Sequence, residues 1–479
     1  MTGPFRRFKN SSMNDKLLYV VLLGISAFLF LAYLLSALRS AVNADAGYYL
    51  GVTELVHEGY VPYRDFGLSY TPMFFYVLQL PRMLMGSYPD YTGYMLFLYL
   101  IVAVDAFLVA ILVKKITNSV KFAWLSAVLF LLLYLYLDGA YFILETFSLC
   151  CGLVSMALLV GRENSFWRCF LSGVFCALAF LSKQYGLLFA GFVGVLLLLS
   201  KEEWKRRILN CLFVFAGFAV ILILFISFFV FSGLGLKDLV GAVSGSTYGG
   251  QSIRMYFNGV IKTCRLFPYL LFIPCILFYR KNDVKFLVWA CCASLLLASF
   301  QFYFNVFPHY YIYMLPFILI LVALMLGRLK LDKQTPIVFL LYFGVLFTAC
   351  AVSMQSVYKD TRSLVKHDLR AVQEKTTLQL RQTMMTHKLD SALCYWNTIQ
   401  YYGLCPLNPS AMTKYGFAFG SDTEESLLSR LEEADCFIIH TENLGEISEM
   451  NELSKALSDS FVLLDDKFAD GTKVFVRSK

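Results

Sequence analysis

Charge is what this sequence has least of. Asp, Glu, Lys and Arg make up only 15% of its 479 residues, against 58% hydrophobic, and mean hydropathy is +0.64. Soluble domains carry about a quarter charged residues, so the deficit excludes an ordinary soluble enzyme and predicts a polytopic membrane protein. Metal-binding cysteine spacing is missing as well. No C-x-x-C occurs among the 13 Cys, and those within or beside apolar segments, Cys150-Cys151 and Cys291-Cys292 among them, read as small hydrophobes. Cys394, Cys405 and Cys436 lie in a polar C-terminal region; outside the cell one disulfide is open to them, Cys394 with Cys405 being one pairing. No G-K-[ST] and no strand-linked G-x-G-x-x-G is present, which excludes the common phosphate-cradling loops. The formal net charge of +8 does not predict a nucleic-acid partner, because most Lys and Arg stand in short clusters between apolar runs.

What the chain does have is apolar runs of spanning length. Eleven can be marked, at about Leu17 to Leu38, Tyr94 to Val113, Phe122 to Leu137, Ala140 to Val160, Cys169 to Leu181, Tyr185 to Ser200, Ile208 to Phe231, Val260 to Phe278, Val284 to Tyr303, Tyr310 to Leu326 and Pro336 to Met354. The first run, preceded by Arg6, Arg7, Lys9 and Lys16, is about twenty residues long and is read as a retained span, not a signal peptide. Placing the N-terminus in the cytoplasm puts nineteen Lys and Arg in or beside inside loops and eight in or beside short outside loops, a strong positive-inside pattern. The Asn43 to Pro72 loop is then external, and so is everything after the eleventh span.

Composition changes abruptly near residue 357. Residues 1–356 are expected to form the membrane domain and residues 357–479 a small external α/β domain. In the second part, polar helical stretches at Arg362 to Lys388, Glu424 to Ala434 and Leu444 to Leu457 alternate with strand-like Ser391 to Trp396, Asp435 to His440, FVLL and KVFV. The expected fold is therefore an all-α polytopic membrane domain of about eleven helices, with interfacial helices in its first external loop, followed by that α/β unit.

The Asn43 to Pro72 loop is the long polar loop of the first half. Asp45 stands at the start of an amphipathic helix with Tyr48, Val52, Leu55 and Val56 on one face and Thr53, Glu54, His57 and Glu58 on the other, a pattern that suits a helix lying in the interface with its apolar side in lipid. Gly59 ends it, and PYRDFGLSYTP follows, a loop of mixed charge and aromatics between two prolines. The apolar piece Met73 to Met85 is too short to span and reads as a second interfacial or re-entrant segment. Ionisable groups near spans are costly in hydrocarbon and are functional candidates. They include Asp138 and Glu145, placed about two helical turns apart, and Asp105 deeper in the second span. Asp45 serves equally well as a helix N-cap, Lys183 as a snorkelling cation and His309 as a structural histidine, so residue type alone leaves each open. The glycine-rich stretch Gly233 to Gly250 reads as a mobile lid, with Arg254 near its end.

The order of features in the first loop resembles that of the C-type glycosyltransferases that use polyprenyl-phosphate sugars, the superfamily of protein O-mannosyltransferase and lipid A aminoarabinose transferase. In that family the loop opens on a catalytic Asp, carries a Tyr on an interfacial helix, and closes with Pro-Tyr-x-acid and a Pro-Pro-Leu-like turn. The counterparts here are Asp45, Tyr49, Pro62-Tyr63, Asp65 and Thr71-Pro72-Met73. The family's Asp-Glu pair is Asp45-Ala46, and the Lys that often precedes the Pro pair is missing. Leu171 to Phe189 resembles the family's Gly-Leu-Ala-x-Leu-x-Lys-Gly segment, with Lys183 at the Lys and Gln184 in place of the Gly. Pro308 to Leu321 resembles its basic-x-x-Tyr-x-Leu-Pro opening of a late span, with His309 as the basic group and Tyr311 or Tyr313 as the Tyr.

The resemblance implies single-sugar transfer with inversion on the external face of a bacterial cell membrane, in cell-envelope glycan synthesis. Asp45 is the base, with Glu145 as a second acid that orients acceptor or sugar. Arg64, Lys183, Arg254, His309 and Tyr311 are candidates for the donor phosphate, and Tyr49, Tyr63, Asp65 and Tyr70 for sugar or acceptor. The implied partners are a polyprenyl-phosphate-linked sugar, membrane lipid, and a glycan, lipid or protein acceptor. Some relatives use a divalent metal; Asp45, Asp65 and Glu145 are the oxygen ligands on offer, and no metal or other cofactor is expected. Three rival readings remain: a flippase for lipid-linked saccharides, which predicts internal repeats that the sequence lacks; a polymerase or ligase, usually centred on a large late external loop; and a non-enzymatic membrane scaffold whose external domain binds a partner, for which Asp45 and Glu145 would be dispensable.

Overall fold

The computed structural model describes residues 13–66, 68, 70–86, 90–161, 164–244, 261, 308–328, 337–389, 392–395, 417–418, 424–432, 434–464, 468 and 471–478. Helix α1 (Met13–Arg39) is followed by the loop helix α2 (Ala44–His57), the short pair α3 (Met73–Val77) and α4 (Gln79–Arg82), then α5 (Tyr91–Thr117) and α6 (Val120–Tyr134). The bundle continues through α7 (Glu145–Leu159), α8 (Phe166–Ser182), α9 (Leu187–Leu198) and α10 (Trp204–Phe231) to the short α11 (Leu236–Ser244). After a 3-10 turn at Pro308–Met314 come α12 (Leu315–Arg328), α13 (Ile337–Lys366) and α14 (Leu369–His387). Among the described residues, five helical segments are long and apolar enough to cross a membrane, and α7, α8 and the segment Gln184–Leu198 are shorter apolar helices. The expected spans at Val260 to Phe278 and Val284 to Tyr303 lie outside the described residues.

The bundle core is drawn from α5, α6, α7, α8, α9 and α12, where Val109, Leu133, Met156, Phe192 and Ile318 interlock. Its outer surfaces stay apolar: Phe107, Phe215 and Phe231 are exposed, as lipid-facing side chains are. Where α8 crosses α10 the backbones nearly touch, since a Cβ on Gly173 would meet the carbonyl oxygen of Val214.

The C-terminal unit is a mixed sheet in the order β2-β1-β3-β5-β4, built from β1 (Ala392–Tyr395), β2 (Phe417–Ala418), β3 (Cys436–His440), β4 (Phe461–Leu463) and β5 (Thr472–Arg477). β1 runs parallel to β2 and β3, and β5 antiparallel to β3 and β4. Strand alternation splits its residues between two cores. Leu393, Tyr395, Phe437 and Ile439 pack with α15 (Glu424–Leu431), α16 (Leu444–Ser448) and α17 (Asn451–Ser460). Ala392, Cys394, Cys436 and Ile438 face the other way, in one cluster with Val42, Ala46, Tyr49 and Leu50 of the membrane domain. Cys394 and Cys436 are thus buried on neighbouring strands, while Cys405 lies outside the described residues.

Five expectations need correction. Helix α2 is buried on nearly every side, Thr53 at 0% exposed included, so its apolar face meets protein and not lipid. Its N-cap is Asn43, whose side chain accepts from the Ala46 amide, and Asp45 sits inside the first turn. The run Ala140 to Val160 is not one helix: α6 ends in a π-turn at Leu135–Gly139, and α7 begins only at Glu145. The stretch Arg362 to Lys388 joins the end of α13 to α14, and Leu444 to Leu457 is two helices.

Candidate active site

The break between α6 and α7 is the first device of the site. Asp138 adopts the left-handed φ of 66°, uncommon for a side-chain-bearing residue and a frequent mark of functional strain. The following Gly139 lies so close to Tyr134 that a Cβ there would overlap its carbonyl, so only glycine lets the chain turn at this point. Two carboxylates result, Asp138 on the turn and Glu145 at the start of α7, instead of two groups stacked along one helix.

The second device is the end of α8. Lys183 is its C-cap in extended conformation, followed by a 3-10 turn whose Gly186 packs against the Ala179 carbonyl. This turn directs Lys183 inward. Its Nζ lies 2.9 Å from Oε1 of Glu145, with side-chain exposures of 3% and 1%. It also stands 4.3 Å above the ring of Tyr70 and 5.6 Å from that of Tyr310. A buried ion pair loses hydration on both sides and needs close geometry to offset it, here supplied by the short contact and the aromatic faces. Thr71, donating to the Phe180 carbonyl at 2.9 Å, fastens the end of the first loop to the same helix.

His309 completes the cluster from the Pro308–Met314 turn, its Nδ1 3.6 Å from Oδ2 of Asp138 and its ring edge-on to Tyr310. Asp45 stands close enough to feel all four of these groups. Burial raises its carboxyl above the ordinary aspartate value; His309 and then Lys183 pull it back, and Glu145 and Asp138 push it further up. Its side chain remains accessible to water while protein surrounds most of it, which is how a group lining a cleft behaves. Tyr49 is buried beside it, edge-on to Tyr70, and burial raises its phenol, with Tyr70, Asp45 and Glu145 adding to the shift.

The structure therefore gathers Asp45, Tyr49, Tyr70, Glu145, Lys183 and His309 in one place. Arg64 and Asp65 are elsewhere. They pair with each other at 2.7 Å on an exposed turn, where Arg64 also donates to the Ser232 carbonyl and Asp65 accepts from the Val61 amide at 2.6 Å. Arg64 holds the Asp65 carboxyl below the ordinary aspartate value. Tyr63, at a φ of 66°, donates to the Tyr70 carbonyl at 2.6 Å and so braces the loop. Tyr311 is wholly buried in the bundle core, and its neighbour Tyr310 flanks Lys183 instead. Arg254 and residues 245–250 of the expected lid lie outside the described residues, and Leu236–Ser244 within it is helical. Asp105 is fully buried in α5, facing Cys150. No three His, Cys, Asp or Glu side chains converge on a metal-sized site among the described residues.

Sequence reading passed over Tyr310 and ranked Asp138 below Glu145. The usable signals were the Asp138-Gly139 pair closing an apolar run, which marks a turn, and the consecutive tyrosines after Pro308, which a 3-10 turn points in different directions.

No family model matches the sequence, and no curated protein matches it. Solved structures match in fold. ArnT from Cupriavidus metallidurans bound to undecaprenyl phosphate superposes with a TM-score of 0.63 at 13% identity, over 95% of this chain and 97% of that one. The same protein in the apo state gives 0.59 at 15% identity, with the same coverage. From α1 to the C-terminal sheet, this chain has the fold of ArnT.

Proposed function

We propose that this protein is an integral membrane glycosyltransferase that moves one sugar from a polyprenyl-phosphate carrier to an acceptor hydroxyl, with inversion, at the outer face of the membrane. The observation that carries the reading is the convergence of water-accessible Asp45 with Lys183, Glu145 and His309. The fold shared with ArnT, the lipid A aminoarabinose transferase, which was crystallised with undecaprenyl phosphate, supports the same class of donor.

Asp45, raised above its ordinary value, takes the proton of the acceptor hydroxyl as that oxygen attacks the anomeric carbon. The bond from that carbon to the phosphate oxygen breaks, and the polyprenyl phosphate leaves with the electron pair. Lys183 and His309 are the basic groups at hand for it, and the contact with Glu145 holds Lys183 in place before the donor arrives. Tyr49 and Tyr70 offer aromatic faces to the sugar.

Purified protein incubated with a panel of labelled polyprenyl-phosphate sugars tests this. Transfer from one donor, lost in a folded Asp45→Asn variant, is expected. An undiminished rate in the variant removes Asp45 from the chemistry, and silence with every donor returns the flippase reading to first place.

A further inference from the structure

Helix α14 reaches into the site's scaffold with two side chains the mechanism does not use. Arg370 is 3% exposed, although it begins a polar external unit. Its Nε and Nη2 donate to the Ser40 carbonyl at 3.2 and 3.0 Å, its Nη1 donates to Thr92 Oγ1 at 2.7 Å, and its guanidinium lies 4.3 Å over the Tyr91 ring. Three turns of structure are joined at that one group: the end of α1, the start of α5 and the start of α14. One helical turn along, Gln373 holds both backbone groups of Val42, accepting from its N–H at 2.7 Å and donating to its carbonyl at 2.9 Å. Val42 precedes Asn43, the cap of the helix that carries Asp45.

The same contacts extend to the other acid-bearing segment. Ser40, whose carbonyl Arg370 grips, donates its hydroxyl to the Ser36 carbonyl at 2.6 Å and, at 3.5 Å, to that of Ala140; Ser36 Oγ donates to the Ala140 carbonyl at 3.1 Å. Ala140 lies two residues past Asp138. Burying a guanidinium is costly, and this one is offset by three donated bonds and an aromatic face, so its position is closely fixed.

We propose that Arg370 and Gln373 are positioning residues: the C-terminal unit locks the 40–45 segment through them and so fixes Asp45 against Lys183 and His309. This rests on the proposed transferase reading for its catalytic consequence, but not for the anchoring itself. Releasing the segment moves the base relative to the phosphate cations while leaving the cations in place, and misplacement on the order of 1 Å costs about a hundredfold in rate.

The test uses the full chain in nanodiscs, with Arg370→Ala, Arg370→Lys, Gln373→Met and the solvent-facing Lys375→Ala as control, and two readouts. Hydrogen exchange over residues 40–50 reads the anchoring. The pH profile of kcat reads the surroundings of Asp45, which are His309, Lys183, Glu145 and Asp138. Gln373→Met is the milder change and guards against a variant that does not fold. It is expected to speed exchange over 40–50 without altering the sheet, to lower kcat about tenfold with donor KM unchanged, and to shift the acid limb to lower pH, since burial is the largest influence on Asp45. A smaller folded fraction would scale the whole profile and leave the limb where it was. Arg370→Ala is expected to exceed it and Arg370→Lys to recover part of the loss. Exchange matching that of Lys375→Ala overturns the anchoring, and faster exchange with an unmoved kcat and limb overturns the positioning role. Should the wild type transfer no sugar from any donor, the transferase reading fails with it, and the exchange arm alone decides whether α14 holds the segment.

Discussion

Two acid–base pairs, chemically alike, occupy different physical worlds. Lys183 and Glu145 are sealed between α7, α8 and two tyrosines. Arg64 and Asp65, adjacent in sequence, meet on a turn with side-chain exposures of 40% and 23%. In water such a pair contributes little, because hydration and salt screening compete with it. In the enclosed site the same attraction is far stronger, and removing either partner leaves the other buried and uncompensated. On the proposed mechanism the desolvated Lys183 is the one set to meet a leaving phosphate, while the exposed pair serves the shape of its loop.

Breaking this contrast at its centre gives the largest effect. Asp45→Asn is expected to lower transfer by about 10²- to 10⁴-fold, measured as product formed per folded protein. The raised Asp45 carboxyl also sets a sign: activity is present above its folded value and lost as pH falls through it, with the limb above the ordinary ~3.9 of aspartate. A raised carboxyl contributes stability below its unfolded value and loses it as pH rises through the folded one, so at neutral pH the Asn variant is expected to melt slightly higher while being inactive. Its melting below wild type would place Asp45 among the stabilising charges.

Removing one partner of the sealed pair comes next. Glu145→Gln is expected to destabilise the protein by about 3–5 kcal/mol, read as a fall in thermal midpoint, because a buried ammonium is left uncompensated. The double variant Glu145→Gln, Lys183→Met is expected to recover much of that stability and none of the transfer. Recovery of activity would take the cation out of catalysis. Tyr70→Leu, which strips one aromatic face from Lys183, is expected to cost about tenfold in kcat with the fold unchanged. At the bottom, Arg64→Ala is expected to change transfer by less than about threefold; a loss comparable to that of Lys183→Met would erase the distinction between the two pairs.

Much of the layout was legible beforehand, for a physical reason in each case. Apolar length marks spans because hydrocarbon tolerates no unpaired backbone, and α1, α5 and α10 lie where their runs predict. The short apolar run Cys436–His440, buried on both faces of the sheet, and the amphipathic spacing of Glu424–Leu431 are local patterns that composition within a few residues reveals. A turn at Asp138-Gly139 was legible, but its extension to Glu145 was not, since Tyr141 to Leu144 is as apolar as a helix interior. Nor was the burial of α2: its polar face reads as solvated, yet Glu54 is taken up by Arg82 at 2.7 Å and Tyr94 at 3.2 Å, and Thr53 by the Tyr49 carbonyl.

The sequence by itself determined that the chain lives in a membrane, that a polar loop with Asp45 at the head of a helix follows the first span, and that a small α/β unit closes it. Each of these depends on composition or on neighbours within a turn or two. Only the tertiary structure decided which charges meet. Lys183 reaches Glu145 across 38 positions, His309 reaches Asp138 across 171, and Arg370 reaches Ser40 across 330. Such meetings follow from helix packing and from two glycine turns, which no local pattern of residue types encodes.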